Sequence, residues 1–229
     1  MRQMIRITFF LAYVLYAPFC LAAPSQVALP VPPNATPEII ASDMRFNGAP
    51  MQIVQFDSLD AKETLKYYRK FFEENAKEGK FSETPTSGGI MIGALMGERI
   101  VNIEIQSQTG EAAKILVSSI EPKLTQSPEK LASDIPRMPG SQVIQHQDSR
   151  DGDKKNRFVI MRNKQSIEGN AMYLREHYIG AGWKRDNDDT LQPAQHRQLQ
   201  FSKNNNRLLV DIQRTAPDTV TVIYSEMTE

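Results

Sequence analysis

Apolar and polar residues alternate along "VNIEIQ" (101–106) and again along "LLVDIQ" (208–213), and both runs carry an acid at the same place, Glu104 and Asp211. Such alternation puts Val101, Ile103 and Ile105 on one face of a strand and Asn102 and Glu104 on the other. Leu208, Val210 and Ile212 are set in the same way against Leu209 and Asp211. The wider pattern repeats too. "MQIVQFDS" (51–58) and "RFVIMRNK" (157–164) read as strands, and each is followed by a helical period. Ala61, Leu65, Tyr68 and Phe72 form one apolar stripe, and Ile167, Ala171, Leu174 and Tyr178 form its counterpart; each must be buried.

The punctuation agrees with this reading. Asp60 and Ser166 stand where an N-cap is needed, and Glu63 has the capping-box spacing in the first block. "GAGW" (180–183) ends the second helix with glycines suited to a C-cap, and Trp183 and Phe81 are the expected anchors at the start of the next strands. Residues 88–120 predict a three-strand meander with turns at Gly97–Glu98 and Thr109–Gly110. Residues 196–227 predict another, with turns at Asn204–Asn206 and Ala216–Asp218. Hairpins with turns at Asn47–Gly48 and Asp151–Gly152 open the two blocks. The expected fold is therefore α+β: two tandem modules, each a helix packed on an antiparallel sheet in the order strand-strand-helix-strand-strand-strand.

Composition sets the boundaries. Arg2 and Arg6 precede the uncharged apolar run "ITFFLAYVLYA" (7–17), and "PFCLAA" follows with small residues, so residues 1–22 read as a cleavable signal peptide. Phe19 before Cys20 is too bulky for a usual lipobox. The rival expectation is an uncleaved inner-membrane anchor, although the run is short for a span. Residues 23–41, with "PSQVALPVPPNATP" (24–37), read as a proline-rich linker, and so does "PKLTQSPEKLASDIPRMP" (122–139). Module 1 then occupies 42–121 and module 2 140–229. Removing residues 1–22 takes two arginines and no acid from 27 basic and 27 acidic residues, leaving a net charge of about −2 and no cysteine. A disulfide-free exported chain of this kind points to the periplasm, and its charge excludes a strongly basic nucleic-acid binder.

Candidate chemistry is sparse. His146, His177 and His196 have no metal-ligand spacing, which argues against structural zinc. His177 reads as a packing residue beside the apolar stripe. No G-x-S-x-G or G-x-x-x-x-G-K-[ST] pattern occurs; a hydrolase would need His146 or His196 beside a carboxylate and a serine. "DNDD" (186–189) lacks the rest of a calcium loop and reads as a solvated turn, and the mixed charges of "RDGDKKNR" (150–157) read as a solvent-facing hairpin tip. No catalytic, cofactor or metal residue is assigned. "SGGIMIGALMG" (87–97) reads as a flexible apolar hairpin, or as a loop whose Ile90, Met91, Ile92, Leu95 and Met96 dock on a partner or a membrane surface. The sheet face opposite the helix, with Glu104 and Asp211, and the free strand edges are further contact surfaces.

At "MRFNGAPMQIVQFDS" (44–58), followed by the tyrosine-bearing helix, the first block resembles uncharacterised exported proteins of Gram-negative bacteria. In these an N-G-x-P-M segment precedes a strand and a helix with paired aromatics. The resemblance implies no activity and no site residues. The expected function is a non-enzymatic periplasmic adaptor or structural accessory that binds other envelope proteins, as in a secretion or pilus system. Nucleic acid is not an expected partner, and the membrane enters only through an uncleaved signal or a partner. The alternative is a periplasmic small-ligand or lipid binder, with an apolar groove between the modules reached through residues 90–96.

Overall fold

Strand β1 (Glu38–Phe46) turns at Asn47–Gly48 into β2 (Ala49–Ser58), which leads to helix α1 (Ala61–Asn75). The structure is a computed structural model that describes residues 29–86, 88–107, 111–192 and 195–228; the expected signal peptide and the Thr109–Gly110 turn lie outside them. Four strands follow the first helix: β3 (Phe81–Thr86), β4 (Gly89–Met96), β5 (Arg99–Ser107) and β6 (Ala113–Ile120). A one-turn helix α2 (Pro128–Leu131) precedes β7 (Gln142–Asp151), β8 (Lys154–Asn163) and helix α3 (Ile167–Gly180). β9 (Lys184–Gln192), β10 (His196–Lys203), β11 (Asn206–Ala216) and β12 (Thr219–Thr228) follow.

The α+β expectation of two helix-on-sheet modules is overturned. Among the described residues, all twelve strands join one antiparallel sheet in the order β3-β4-β5-β6-β2-β1-β7-β8-β12-β11-β10-β9, so the fold is largely β. The joint is a short seam in which Asp43, Met44, Arg45 and Phe46 pair with Arg150, Ser149, Asp148 and Gln147. The expected strand count was also one short in each block. β3 and β9 are the outermost strands; each has one neighbour and little apolar surface to bury, so neither "FSETPT" nor "KRDNDDTLQ" carries the alternation that marks a strand.

Two hydrophobic clusters lie on the sheet. Tyr68 and Phe72 of α1 pack with Ile92, Ile103, Ile105 and Val117, while Leu174 and Tyr178 of α3 pack with Leu199, Phe201, Val210 and Ile212. The register places both helices on one side. Arg45 is opposite Pro50 on β2, whose alternation continues to Val54 and the buried Phe56. On the other flank Arg45 is opposite Asp148, which alternates with His146, the partner of buried Val159. The other face of the sheet carries neither α1 nor α3.

The caps explain why the helices start where they do. Asp60 accepts from the amides of Lys62 and Glu63 at 2.9 and 3.0 Å, and Ser166 from that of Gly169 at 2.9 Å. The capping box is replaced: the Asp60 amide donates to Ser58 Oγ at 3.2 Å, and Glu63 instead lies 3.7 Å from Lys66. Trp183 packs edge-on to Tyr178, and Phe81 lies against Phe72, each immediately before or at the start of an edge strand.

The described part of the first proline-rich segment, from Leu29 on, and the second segment lie against the sheet. Leu29, Val31 and Ala35 pack on the first cluster, and Ala132 and Ile135 belong to the second. Each segment also satisfies a buried tyrosine: Tyr68 donates to the Pro30 carbonyl at 2.8 Å and Tyr224 to the Pro136 carbonyl at 2.7 Å. Burial raises both hydroxyls well above the ordinary tyrosine value, so they stay protonated donors.

Candidate functional site

The five residues expected in a docking loop form strand β4 instead. Ile92 is fully buried in the first cluster, Met91 and Leu95 are exposed on the opposite face, and Ile90 and Met96 are partly buried against the cluster. β4 is held on both sides, by β3 and by β5, which explains why an apolar glycine-rich run stays regular. One of its glycines has a local cause. A Cβ at Gly89 would lie 1.9 Å from the Ile105 carbonyl oxygen, so close strand packing requires that glycine, whereas one at Gly93 would meet only the Asn102 side chain, which can turn aside.

The helix-free face has a cross-strand order that the separate strand patterns do not show. Leu95 is opposite Ile100, Ile100 opposite Ile120, Ile120 opposite Met51, and Met51 opposite Met44. Five neighbouring strands thus line up five apolar side chains, a row about 19 Å long at the usual strand spacing. Across the seam the same face adds the facing pair Ile160 and Ile223, and the exposed Leu209 and Met227. Polar residues flank these patches. His196 and Asp211 meet at 2.8 Å, and Gln213 donates to the other Asp211 oxygen at 2.6 Å. Gln106 donates to Glu104 at 3.1 Å in the first half. The two acids singled out by the repeated strand motif therefore lie on this face, as alternation requires.

The strand edges are poor docking surfaces. β3 carries Pro85, which lacks a ladder donor, and β9 carries Lys184, Arg185, Asp186, Asp188 and Asp189. Both devices discourage pairing with another strand. The "DNDD" segment, expected as a turn, lies inside β9. There Asp188 receives Arg197 Nε and Nη2 on one oxygen, each at 2.7 Å, and Arg175 Nη2 on the other at 3.0 Å. Burial would raise the Asp188 carboxyl; the Arg197 hydrogen bond and the surrounding arginines overcome it and hold the group below the ordinary carboxylate range.

A charged cavity of about 390 Å³ sits on the helix side of the seam. Its wall is two cross-strand rows. In one, Asp43 is opposite Arg150, which is opposite Lys155; in the next, Arg45 is opposite Asp148, Asp148 opposite Arg157, and Arg157 opposite Glu226. Arg157 is already spent, donating to Asp134 at 2.6 Å and to Glu226 at 2.6 Å. Burial works against its charge, and the two carboxylates more than offset that. The mixed charges of 150–157 mark a hairpin tip and hide this wall; the signal for it in the sequence is the period-two spacing of Asp43 and Arg45, Asp148 and Arg150, and Lys155 and Arg157.

The histidines separate. His146 is 3 % exposed, and its Nδ1, 3.4 Å from Asp148, has no hydrogen-bond partner among the described residues. Burial lowers its pKa, with Asp148 opposing, so the ring is neutral at pH 7. His196 pairs with Asp211, and neither ring bonds a hydroxyl among the described residues. His177, expected to be partly buried, is exposed and stacks on Tyr173. Among the described residues no cluster of three His, Cys, Asp or Glu side chains is placed to hold a metal, and no helix is long and apolar enough to cross a membrane. The anticipated apolar groove does not coincide with the seam cavity, which is charged and lies across three intervening strands from β4. Comparison with protein families, curated proteins and solved structures finds no match.

Proposed function

We propose that the chain is a non-enzymatic adaptor of the bacterial periplasm that docks another envelope protein on the helix-free face of its sheet. The observation that carries this reading is the apolar row from Leu95 to Met44 on a face without α1 or α3. Edge strands blunted by proline and charge direct association to the face instead of to strand addition. The amino-terminal signal pattern and the cysteine-free remainder support the compartment. A photo-crosslinking residue at Leu95, introduced in native cells, tests it. A discrete adduct with one envelope protein, absent when the probe replaces the outward-facing Met172 of α3, is the expected result. Equal yields at both positions refute docking on this face. The seam cavity favours a second reading, a periplasmic binder of small ligands, and its charged wall speaks against lipid.

A further inference from the structure

The wall of the seam cavity holds charges of both signs that do not neutralise one another. Asp43 and Arg150 face each other across the β1–β7 pairing, as do Arg45 and Asp148, yet neither pair forms an ion pair. Arg150 is also opposite Lys155, so two cations stand side by side on β7 and β8. Neither finds an acid among the described residues. Arg45 donates to the Gly48 carbonyl at 3.1 Å, which leaves its charge uncompensated. Among the described residues Asp148 has only the neutral His146, at 3.4 Å.

We propose that this cavity binds a small zwitterion of the free amino-acid class, its carboxylate held by Arg150 and Lys155 and its ammonium by Asp43, with Asp148 behind. The inference rests on the ligand-binder reading and is independent of docking on the opposite face. A simple anion placed at the cations faces the carboxylates of Asp43 and Asp148, and a simple cation placed at the acids faces Arg150, Lys155 and Arg45. A molecule with both charges one carbon apart is matched to both. The cavity volume lies near the lower end of the range of about 300–1,000 Å³ usual for small-molecule sites, which suits a ligand of that size. Guanidinium groups are suited to carboxylate recognition, and the flanking Lys155 adds a point charge.

The test is titration calorimetry on the full chain at low salt with each of the twenty L-amino acids. L-alanine is accompanied by its two half-molecules, propionate and ethylamine. At least one amino acid is expected to bind one-to-one at a dissociation constant of about 1 mM or tighter. Removing the amine or the carboxyl should weaken binding about tenfold or more, and rising salt should weaken it further. Arg150→Ala with Lys155→Ala should abolish binding and Asp43→Asn should reduce it about tenfold, each with an unchanged melting temperature because these side chains are exposed. Propionate binding as well as the amino acids overturns the zwitterion assignment while leaving a ligand-binding cavity. No heat with any compound at about 10 mM overturns both readings, whereas binding that survives the double variant overturns the assignment to the seam cavity and leaves a ligand binder with its site elsewhere.

Discussion

Replacing Asp188 tests whether the edge strand β9 is held by charge instead of by a buried apolar face. The Asp188 side chain is 13 % exposed and that of Arg197 15 %, and the carboxylate takes two contacts from Arg197 at 2.7 Å and one from Arg175 at 3.0 Å. Arg175 belongs to α3, and Arg197 also reaches Glu168 in the first turn of that helix, so the cluster ties the helix to the outer strands. Removing one partner of a fully buried pair costs about 3–5 kcal/mol and of an exposed pair about 0–1 kcal/mol. With roughly a seventh of each side chain still wet, Asp188→Ala should cost about 2–3 kcal/mol, and Asp188→Asn slightly less because it keeps an acceptor. For a chain of this size that is a fall in melting temperature of about 5–10 °C. Arg185→Ala is the control: it lies 3.5 Å away and is 45 % exposed, so its loss should be below about 0.5 kcal/mol. Urea unfolding of the single variants and the Asp188→Ala, Arg197→Ala pair reads the coupling, expected at about 2 kcal/mol. Because the folded carboxyl is held low, this contribution is complete above about pH 4, the unfolded value, and is lost as the pH falls through the depressed folded value. Additive single losses, or an Asp188→Asn cost under about 0.5 kcal/mol, would refute the reasoning.

Other contacts give simpler expectations. Asp60→Ala should cost about 1 kcal/mol, since two helix amides lose their acceptor, whereas Glu63→Ala should be nearly neutral because Ser58 caps the Asp60 amide; thermal melts of the pair separate the two. Tyr68→Phe and Tyr224→Phe should each cost about 1 kcal/mol in urea unfolding by stranding the carbonyls of Pro30 and Pro136. Burial depresses the folded pKa of His146, so the unfolded chain takes up a proton first. Stability is complete above about pH 6.5 and declines as the pH falls from there through the folded value, and His146→Gln should flatten urea midpoints compared at pH 7.5 and 5.5.

What could be read from the sequence followed burial. Helix α3 shows its buried stripe of Ile167, Ala171, Leu174 and Tyr178 because every fourth or third residue meets the sheet, and β5 and β11 show theirs because one face is core. β9, beyond the strand-opening Trp183, shows no alternation for the opposite reason: its residues answer to arginines and solvent, and charge pairing leaves no period. The fusion into one sheet was equally hidden. A seam of four residue pairs needs only backbone groups, and nothing in Asp43–Phe46 distinguishes a strand paired on one side from a strand paired on both. The cavity wall follows from that seam, since Asp43 and Arg45 acquire neighbours on β7 only once the halves join. The apolar row on the free face was half legible: Leu95 stood out, but its alignment with Ile120 and Met51 is set by register between strands distant in the chain.

The seam itself depends on one residue more than its length suggests. Asn47 adopts φ 47° in the β1–β2 turn, and it spends three groups across the joint. Its amide donates to the His146 carbonyl at 2.7 Å, its Oδ1 accepts from the His146 amide at 2.9 Å, and its carbonyl accepts from the Gln126 amide at 2.7 Å. The turn, the second half of the sheet and the connecting segment are thereby fixed to one another. Asparagine suits the place twice, because it tolerates the left-handed region and because its short amide reaches a backbone donor. The two contributions separate by substitution. Asn47→Gly keeps the backbone freedom and loses only the Oδ1 bond, leaving the buried His146 amide unpaired, at about 1–2 kcal/mol. Asn47→Ala adds the left-handed penalty, about 1 kcal/mol more. Hydrogen exchange at the His146 amide should quicken in both variants, while exchange in the far strands β4 and β10 should change only by the global loss. Equal protection at His146 in Asn47→Gly and the parent chain would mean that the strand pairing, and not this side chain, holds the two halves together.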